Sequence, residues 1–528
     1  MLLSRLATVF AAVTLCRAQI SEYFDEKLTV TPLKDGKVAS TLAFTTLLKN
    51  ASPRNVERLH DDDDSQHYTL FPLALGQILR EYGVTEMHLT LNAGKWNYDS
   101  WGHPVEPGVG TGAELWAWIG DGALSTVDAR WKGLRNALAG LFCSSLGALD
   151  ELRTTSPTEV FQPEGSLPSS TPHQLRHASH PSEHVCTENL TPFVKLLPCK
   201  ASAGLATLLN PHRLFDANWH GMGVHVLWHE DEGVEVRLTF QTVSDPLRNY
   251  QARKQDWSFE SLFGRKVERA CPAARSSIVE VSLPQDSPYN LSPEPTLAEK
   301  DVAWFDIQPA SKPVDISMSY MPDFNPGLAA RLAKPSTPLS VQRTLKESSQ
   351  AHGQLSVVLK NHESYPIQAV YLETMPWIVQ FYLHTLTATL DGHPYTSAFS
   401  NLSYIPAVPH SRPSTFHVLL SIPANSTLKV TMDVTKAFLR YTEHPPDAQR
   451  GWDLPPAIIA PLNLDTNRMY TPTLLVDLAT PDFSMPYNVI IFTCTLLAFL
   501  FGNVFNLLTR KFVVVSLKPA PSSTIKED

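Results

Sequence analysis

Apolar and polar residues alternate along much of the chain, and helical spacing is confined to a few stretches. From Leu28 to Leu48, Thr, Val and Phe mix with polar residues as they do in strands. LFPLALGQILREYG, starting at Leu70, has the apolar spacing of a helix, and MHLTLNAGKW, starting at Met87, alternates like a strand. GAELWAWIG puts Leu115, Ala117 and Ile119 on one face and Trp116 and Trp118 on the other. Trp131 to Leu149 returns to helical spacing. Val224 to Val243 reads as paired strands around an acidic turn, and Val357 to Leu390 as a second strand-rich run. Phe416 to Asp433 reads as a hairpin with Pro423, Ala424 and Asn425 in its turn. The expected fold is mainly β with some α, built as β-sandwich-like domains. Residues 19–153 form an N-terminal α+β region and residues 186–480 a mainly β region.

Thr154 to His184 breaks this pattern. It is rich in Ser, Pro and Thr and reads as a flexible, exposed connector over residues 154–185. Its four histidines, His173, His177, His180 and His184, raise a zinc site as one reading. The flanking prolines and the lack of a neighbouring thiolate pair favour a surface segment instead. The run Asp61-Asp62-Asp63-Asp64 lacks the spaced ligands and turn of a calcium loop and reads as a solvated loop.

Both ends carry membrane signals. Arg5, the apolar stretch Leu6 to Leu15 and the small residue Ala18 compose a cleaved secretory signal over residues 1–18. Tyr487 to Leu508 is uncharged, and its length of about 33 Å suits a bilayer core. Ser484 and Pro486 suit the start of that helix. Arg510 and Lys511 follow it, so residues 509–528 form a cytoplasmic tail and the bulk of the chain is lumenal or extracellular. Asn503, Asn506 and Gly502 give the span a face for contact with other helices. N-x-S/T acceptor sites at Asn50, Asn189, Asn290, Asn401 and Asn425 agree with that topology.

Composition narrows the function. With 43 Lys+Arg against 52 Asp+Glu, the chain lacks the basic excess of a nucleic-acid binder. Forty-two prolines favour strands joined by turns over long helices. No nucleophile elbow, zinc-protease helix, P-loop or dinucleotide glycine fingerprint occurs, so no catalytic set, cofactor or metal is assigned. Cys143, Cys186, Cys199 and Cys271 fall on the lumenal side, where disulfides are favoured over a reduced catalytic thiol. Cys16 leaves with the signal and Cys494 lies in the span.

CTENLTPFVKLLPCK, ETMPWIVQFYLHTL and TPDFSMPYNVI resemble the PIG-T family, as does YTEHPPDAQRGWDLPPAII. So do LFPLALGQILREYG, GAELWAW, the Phe142-Cys143 pair and the Asp256-Trp257-Ser258 triplet, and the chain is similar to a fungal-type member. The connector and residues 287–338 match less well. The resemblance implies a noncatalytic, lumenal, single-span scaffold subunit of the glycosylphosphatidylinositol (GPI) transamidase of the endoplasmic reticulum membrane. That complex replaces a C-terminal signal with a GPI anchor, and its chemistry belongs to a caspase-like subunit. By its motif, Cys186 corresponds to the family's disulfide to that subunit, with an internal Cys186–Cys199 bridge as the alternative. If Cys186 is external, Cys199 and Cys271 are the preferred internal pair and Cys143 is left as a buried thiol. Other membrane subunits are implied partners. TPDFSMPY either borders a GPI lipid or is an ordinary helix cap and interfacial anchor. The competing readings are a free-standing lumenal β-sandwich receptor or lectin-like module, and a membrane-bound hydrolase.

Overall fold

The computed structural model describes residues 21–59, 67–248, 256–284, 289–309, 312–320, 336–347, 349–444, 451–462, 467–480, 484–511 and 515. The stretch expected to be a signal sequence, the Asp61–Asp64 run and most of the residues after the apolar helix lie outside them. The chain is mainly β, and it divides into two units. The larger takes residues up to 438 together with 450–478.

The first half of that unit is organised by one eleven-stranded sheet. Its long strands are β1 (Glu22–Pro32), β2 (Val38–Lys49), β3 (Val84–Ala93), β4 (Gly112–Gly120), β5 (His173–His180), β6 (Trp219–His229), β7 (Gly233–Ser244), β8 (Ser276–Ser282) and β9 (Val302–Asp306). Their spatial order is β9-β8-β1-β2-β7-β6-β3-β4-β5, with two-residue strands at each edge. β1 and β8 are parallel, and the other long neighbours run antiparallel. One face carries Met87, Leu89, Leu91, Leu115, Ala117 and Ile119 into the main core. Against that face pack the helices α1 (Leu73–Tyr82), α2 (Val127–Phe142) and α3 (Thr187–Lys195). Gly83, in the left-handed region, ends α1 and lets its N–H reach the Leu79 carbonyl.

Residues 154–185 are not a flexible connector. β5 pairs with β4 along its whole length, and Phe161, Leu175 and Ala178 are buried. The segment's polar composition hides this because its side chains bond to a polar sheet face rather than to solvent. Nor does position 186 mark a domain edge, since β6 to β9 extend the N-terminal sheet.

The second half of the unit is a pair of facing sheets. One contains β10 (Leu339–Glu347), β11 (His352–Asn361) and β15 (Thr427–Lys436). The other runs β13-β14-β12-β16-β17, made of β12 (Ile367–Met375), β13 (Phe399–Ile405), β14 (Ser414–Ile422), β16 (Ile458–Pro461) and β17 (Met469–Tyr470). Alternate residues Phe416, Val418, Leu420 and Ile422 of one sheet and Leu428, Val430, Met432 and Val434 of the other are all buried. The expected hairpin at Phe416–Asp433 is therefore a link between sheets: β14 pairs with β12 and β15 with β11. Two strands that each bury an apolar face can satisfy both by facing one another as well as by pairing. A fully buried ion pair, Arg343 with Glu373, fastens the later segment: Arg343 Nη1 donates to the Pro455 carbonyl (2.8 Å), and the Tyr371 hydroxyl donates to Glu373 (2.6 Å).

The second unit comprises residues 439–449 and 479–528. Its main element is α4 (Ser484–Thr509), in which Tyr487–Thr509 is long and apolar enough to cross a membrane.

Candidate functional site

The two features that carry chemistry are a polar sheet face sealed between the two halves of the larger unit, and a pair of exposed thiols at helix ends.

The polar face is built by register. Arg237, His225, His88, Trp116 and His177 stand directly opposite one another on β7, β6, β3, β4 and β5. His88 and His225 share a 2.9 Å hydrogen bond between their Nδ1 atoms, and His88 stacks on Trp116 with ring centroids 3.9 Å apart. Burial, with the neighbouring His88, Arg237 and Arg468, pushes the His225 pKa well below its ordinary value. Glu86 accepts the backbone N–H groups of Glu164 and Gly165 at 2.9 and 2.8 Å. His177 Nε2 lies 2.9 Å from Glu114 Oε1.

The residues just before and within β17 close this face. Arg468 lies over the neighbouring rings of Trp116 and Phe161, its guanidinium 5.1 and 4.7 Å from the ring centres, and donates to Glu164 at 2.7 Å. Burial alone would raise Glu164, but His88 and Arg468 outweigh it and hold the carboxyl below its ordinary value. The Tyr470 hydroxyl donates to Glu114 Oε2 at 2.8 Å, and its N–H donates to the Tyr98 hydroxyl at 2.9 Å. Burial and Glu114 push the Tyr470 phenol well above its ordinary range. Gly110 makes the fit possible, because a Cβ there would sit 2.7 Å from the Tyr470 ring. His88, His225, Glu86, Glu114 and His177 are buried, and of these Glu114 bonds the Tyr470 hydroxyl; Glu164, at the rim, binds Arg468. Sequence reasoning missed the seam; the residues sit in strands whose two faces are both buried, so alternation could not separate a lining from a core.

Of the four clustered histidines, only His177 joins this network. His173 binds Thr85 at the strand start, and His180 stands at the other end, its pKa lowered to about 4 by burial and by Arg153. Among the described residues, no group of three or more His, Cys, Asp or Glu could hold a metal ion.

The thiols lie elsewhere. The structure joins Cys199 and Cys271 in a disulfide, whereas Cys143, Cys186 and Cys494 are free and exposed. Cys143 is thus not a buried thiol: it caps α2 in the left-handed region with φ 52°, which turns its side chain outward. Cys186 is the N-cap of α3. Asn189 holds the two together. It accepts the Cys186 N–H at 2.6 Å and donates to the carbonyls of Phe142 (2.8 Å) and Cys143 (3.3 Å). Ser145 N–H donates to Glu183 at 2.7 Å and ties the same two loops. Asn189 is 1% exposed and spends its amide on these bonds, so in this fold it is not a glycan acceptor. Asn50, Asn290, Asn401 and Asn425 remain exposed or half-buried, and three of them, Asn50, Asn401 and Asn425, occupy left-handed turn or bulge positions.

Comparison with known proteins agrees in its reach along the chain. A family model described as "Gpi16 subunit, GPI transamidase component" matches residues 8–255 and 246–527. The chain is 35% identical to the mouse "GPI-anchor transamidase component PIGT", covering 92% of this chain and 89% of that protein. It is 32% identical to the Schizosaccharomyces pombe "GPI transamidase component PIG-T homolog", over 95% and 92%. It is 29% identical to the Saccharomyces cerevisiae "GPI transamidase component GPI16", over 98% and 93%. A match spanning both halves of the large unit and the apolar helix places the whole architecture in one lineage: the chain belongs to the Gpi16 family.

Proposed function

We propose that this chain is a noncatalytic scaffold subunit of the GPI transamidase complex in the endoplasmic reticulum membrane. It stabilises the caspase-like catalytic subunit and is joined to it by a disulfide through Cys186. α4 anchors it as a single-pass type I protein with the large unit in the lumen; other membrane subunits, and GPI lipid beside the helix, are its further contacts. The observation that carries this reading is Cys186 itself. Its thiol is exposed and unpaired, yet its backbone is fixed by a buried amide. A thiol presented on a rigid base loses little freedom when it bonds to a neighbour, and the bond raises the partner's effective concentration. The seam supports a structural role as well, because Glu114 and Glu164 bind Tyr470 and Arg468 across the two halves of the large unit.

The test is a non-reducing gel of the native membrane protein beside its Cys186→Ser variant. The expected result is a high-mass band that collapses on reduction, is absent from the variant and contains the caspase-like subunit. A chain that migrates as a monomer in both lanes sinks the covalent link. A β-sandwich receptor acting alone would instead run free of partners on gentle solubilisation.

A further inference from the structure

Cys143 is exposed and free at the end of the helix that packs on the Cys186 helix, and nothing in the proposed scaffold role uses it. Its position is unusual. Helix α2 ends in the left-handed conformation that Gly or Asn adopts at least cost, and a β-carbon there is strained. Because the side chain points to solvent, the cysteine adds no packing that would offset this. Its backbone is bound to that of Cys186 through one carboxamide: the Cys143 carbonyl and the Cys186 N–H occupy the two ends of the Asn189 amide. α2 packs against α3, and the Ser145–Glu183 hydrogen bond closes the same junction from the other side. Both thiols therefore stand exposed on one junction of two helix ends whose backbones share a single amide.

We propose that Cys143 is the internal exchange partner of Cys186. In the unassembled chain the two thiols are oxidised to an intrachain disulfide. A lumenal disulfide donor, such as glutathione disulfide, accepts the two electrons, and the two thiol protons are released to it as thiols form. On assembly a thiolate of the partner subunit attacks Cys186 Sγ. The Cys143–Cys186 bond breaks, the partner–Cys186 bond forms, and Cys143 leaves as a thiolate. That second step needs no oxidant, because one disulfide replaces another. Run backwards, the same chemistry lets Cys143 release the partner. The exchange step rests on the proposed external link through Cys186; the internal pairing does not.

The full chain is expressed in microsomes with and without the caspase-like subunit. Exchange is quenched with acid, free thiols are blocked with N-ethylmaleimide, and monomer and high-mass bands are digested with trypsin without reduction. In the monomer band we expect peptide 136–153 disulfide-linked to peptide 177–195. In the high-mass band Cys143 should carry the maleimide. The linked pair should vanish in Cys143→Ser, while the link between peptides 196–200 and 270–275, which holds Cys199 and Cys271, persists and reports an intact fold. Maleimide on both Cys143 and Cys186 in the monomer band overturns the pairing, and a high-mass band in that same sample leaves the external link standing. A linked pair with no high-mass band under any condition overturns the external link and the exchange step with it.

Discussion

Asn189 serves three backbone groups with one side chain, so its removal strands the Cys186 N–H and two carbonyls at the end of α2. Asn189→Ala should lower stability by about 2 kcal/mol, read from the urea midpoint of the detergent-solubilised chain. Asn189→Gln should leave the number of attached glycans unchanged on an endoglycosidase gel, because the native amide is enclosed. A second residue-scale prediction concerns acid. His180 has a folded pKa of about 4 against an ordinary 6.5, and His225 is displaced in the same direction. The unfolded chain therefore binds more protons than the folded one in the interval between. The neutral-histidine contribution is complete above pH 6.5 and is lost as pH falls toward 4. A plot of midpoint against pH should be flatter over that interval in His180→Gln than in the parent chain; parallel curves would rule out the contribution. The sequon at Asn189 shows what a motif leaves undetermined. The three letters specify an acceptor, and only the packing of α3 on α2 reveals that the amide is already used.

At the scale of elements, the residues before and within β17 matter beyond their length. Tyr470 reaches Glu114, and Arg468 reaches Glu164 while lying against two aromatic rings. Tyr470→Phe removes one donor to a buried carboxylate and should cost about 1–3 kcal/mol. Gly110→Val drives a side chain into the Tyr470 ring and should release this segment, which limited proteolysis would register as new cleavage near residue 468. Unaltered cleavage kinetics in Gly110→Val would show that the seam does not hold β17. Much of this scale was legible in the sequence. The alternation in GAELWAWIG and MHLTLNAGKW falls in β4 and β3, and LFPLALGQILREYG contains α1. What escaped was partnership. β14 and β15 have the hairpin pattern but face each other across a core, since period-two alternation records which side is buried and not which strand is hydrogen-bonded. β5 escaped because its Ser and His residues, flanked by Pro172 and Pro181, signal a loop in isolation, yet here His177 bonds Glu114 on β4.

For the whole molecule, the Cys199–Cys271 bridge closes a loop of 72 residues between the α3 end and the approach to β8. In the chain-entropy picture such a loop is worth about 4 kcal/mol, so Cys271→Ser should lower the midpoint clearly and remain monodisperse if the fold survives. The division into a large β unit and a separate apolar helix follows from hydropathy, and the long shared motifs carry the family. The seam and the thiol pair were not accessible in the same way, because each is assembled from residues far apart in sequence. The central claim is that the chain acts by organising a catalytic partner. Its most direct measurement uses cells depleted of their own copy, complemented with this chain or its Cys186→Ser variant. The level of the caspase-like subunit co-isolated with the chain and the amount of GPI-anchored protein at the surface are read together. Both should fall on depletion, the intact chain should restore both, and the variant should restore less co-isolated subunit under stringent washing. Normal subunit levels and anchoring in depleted cells, or transamidase activity from the purified chain alone, would contradict it.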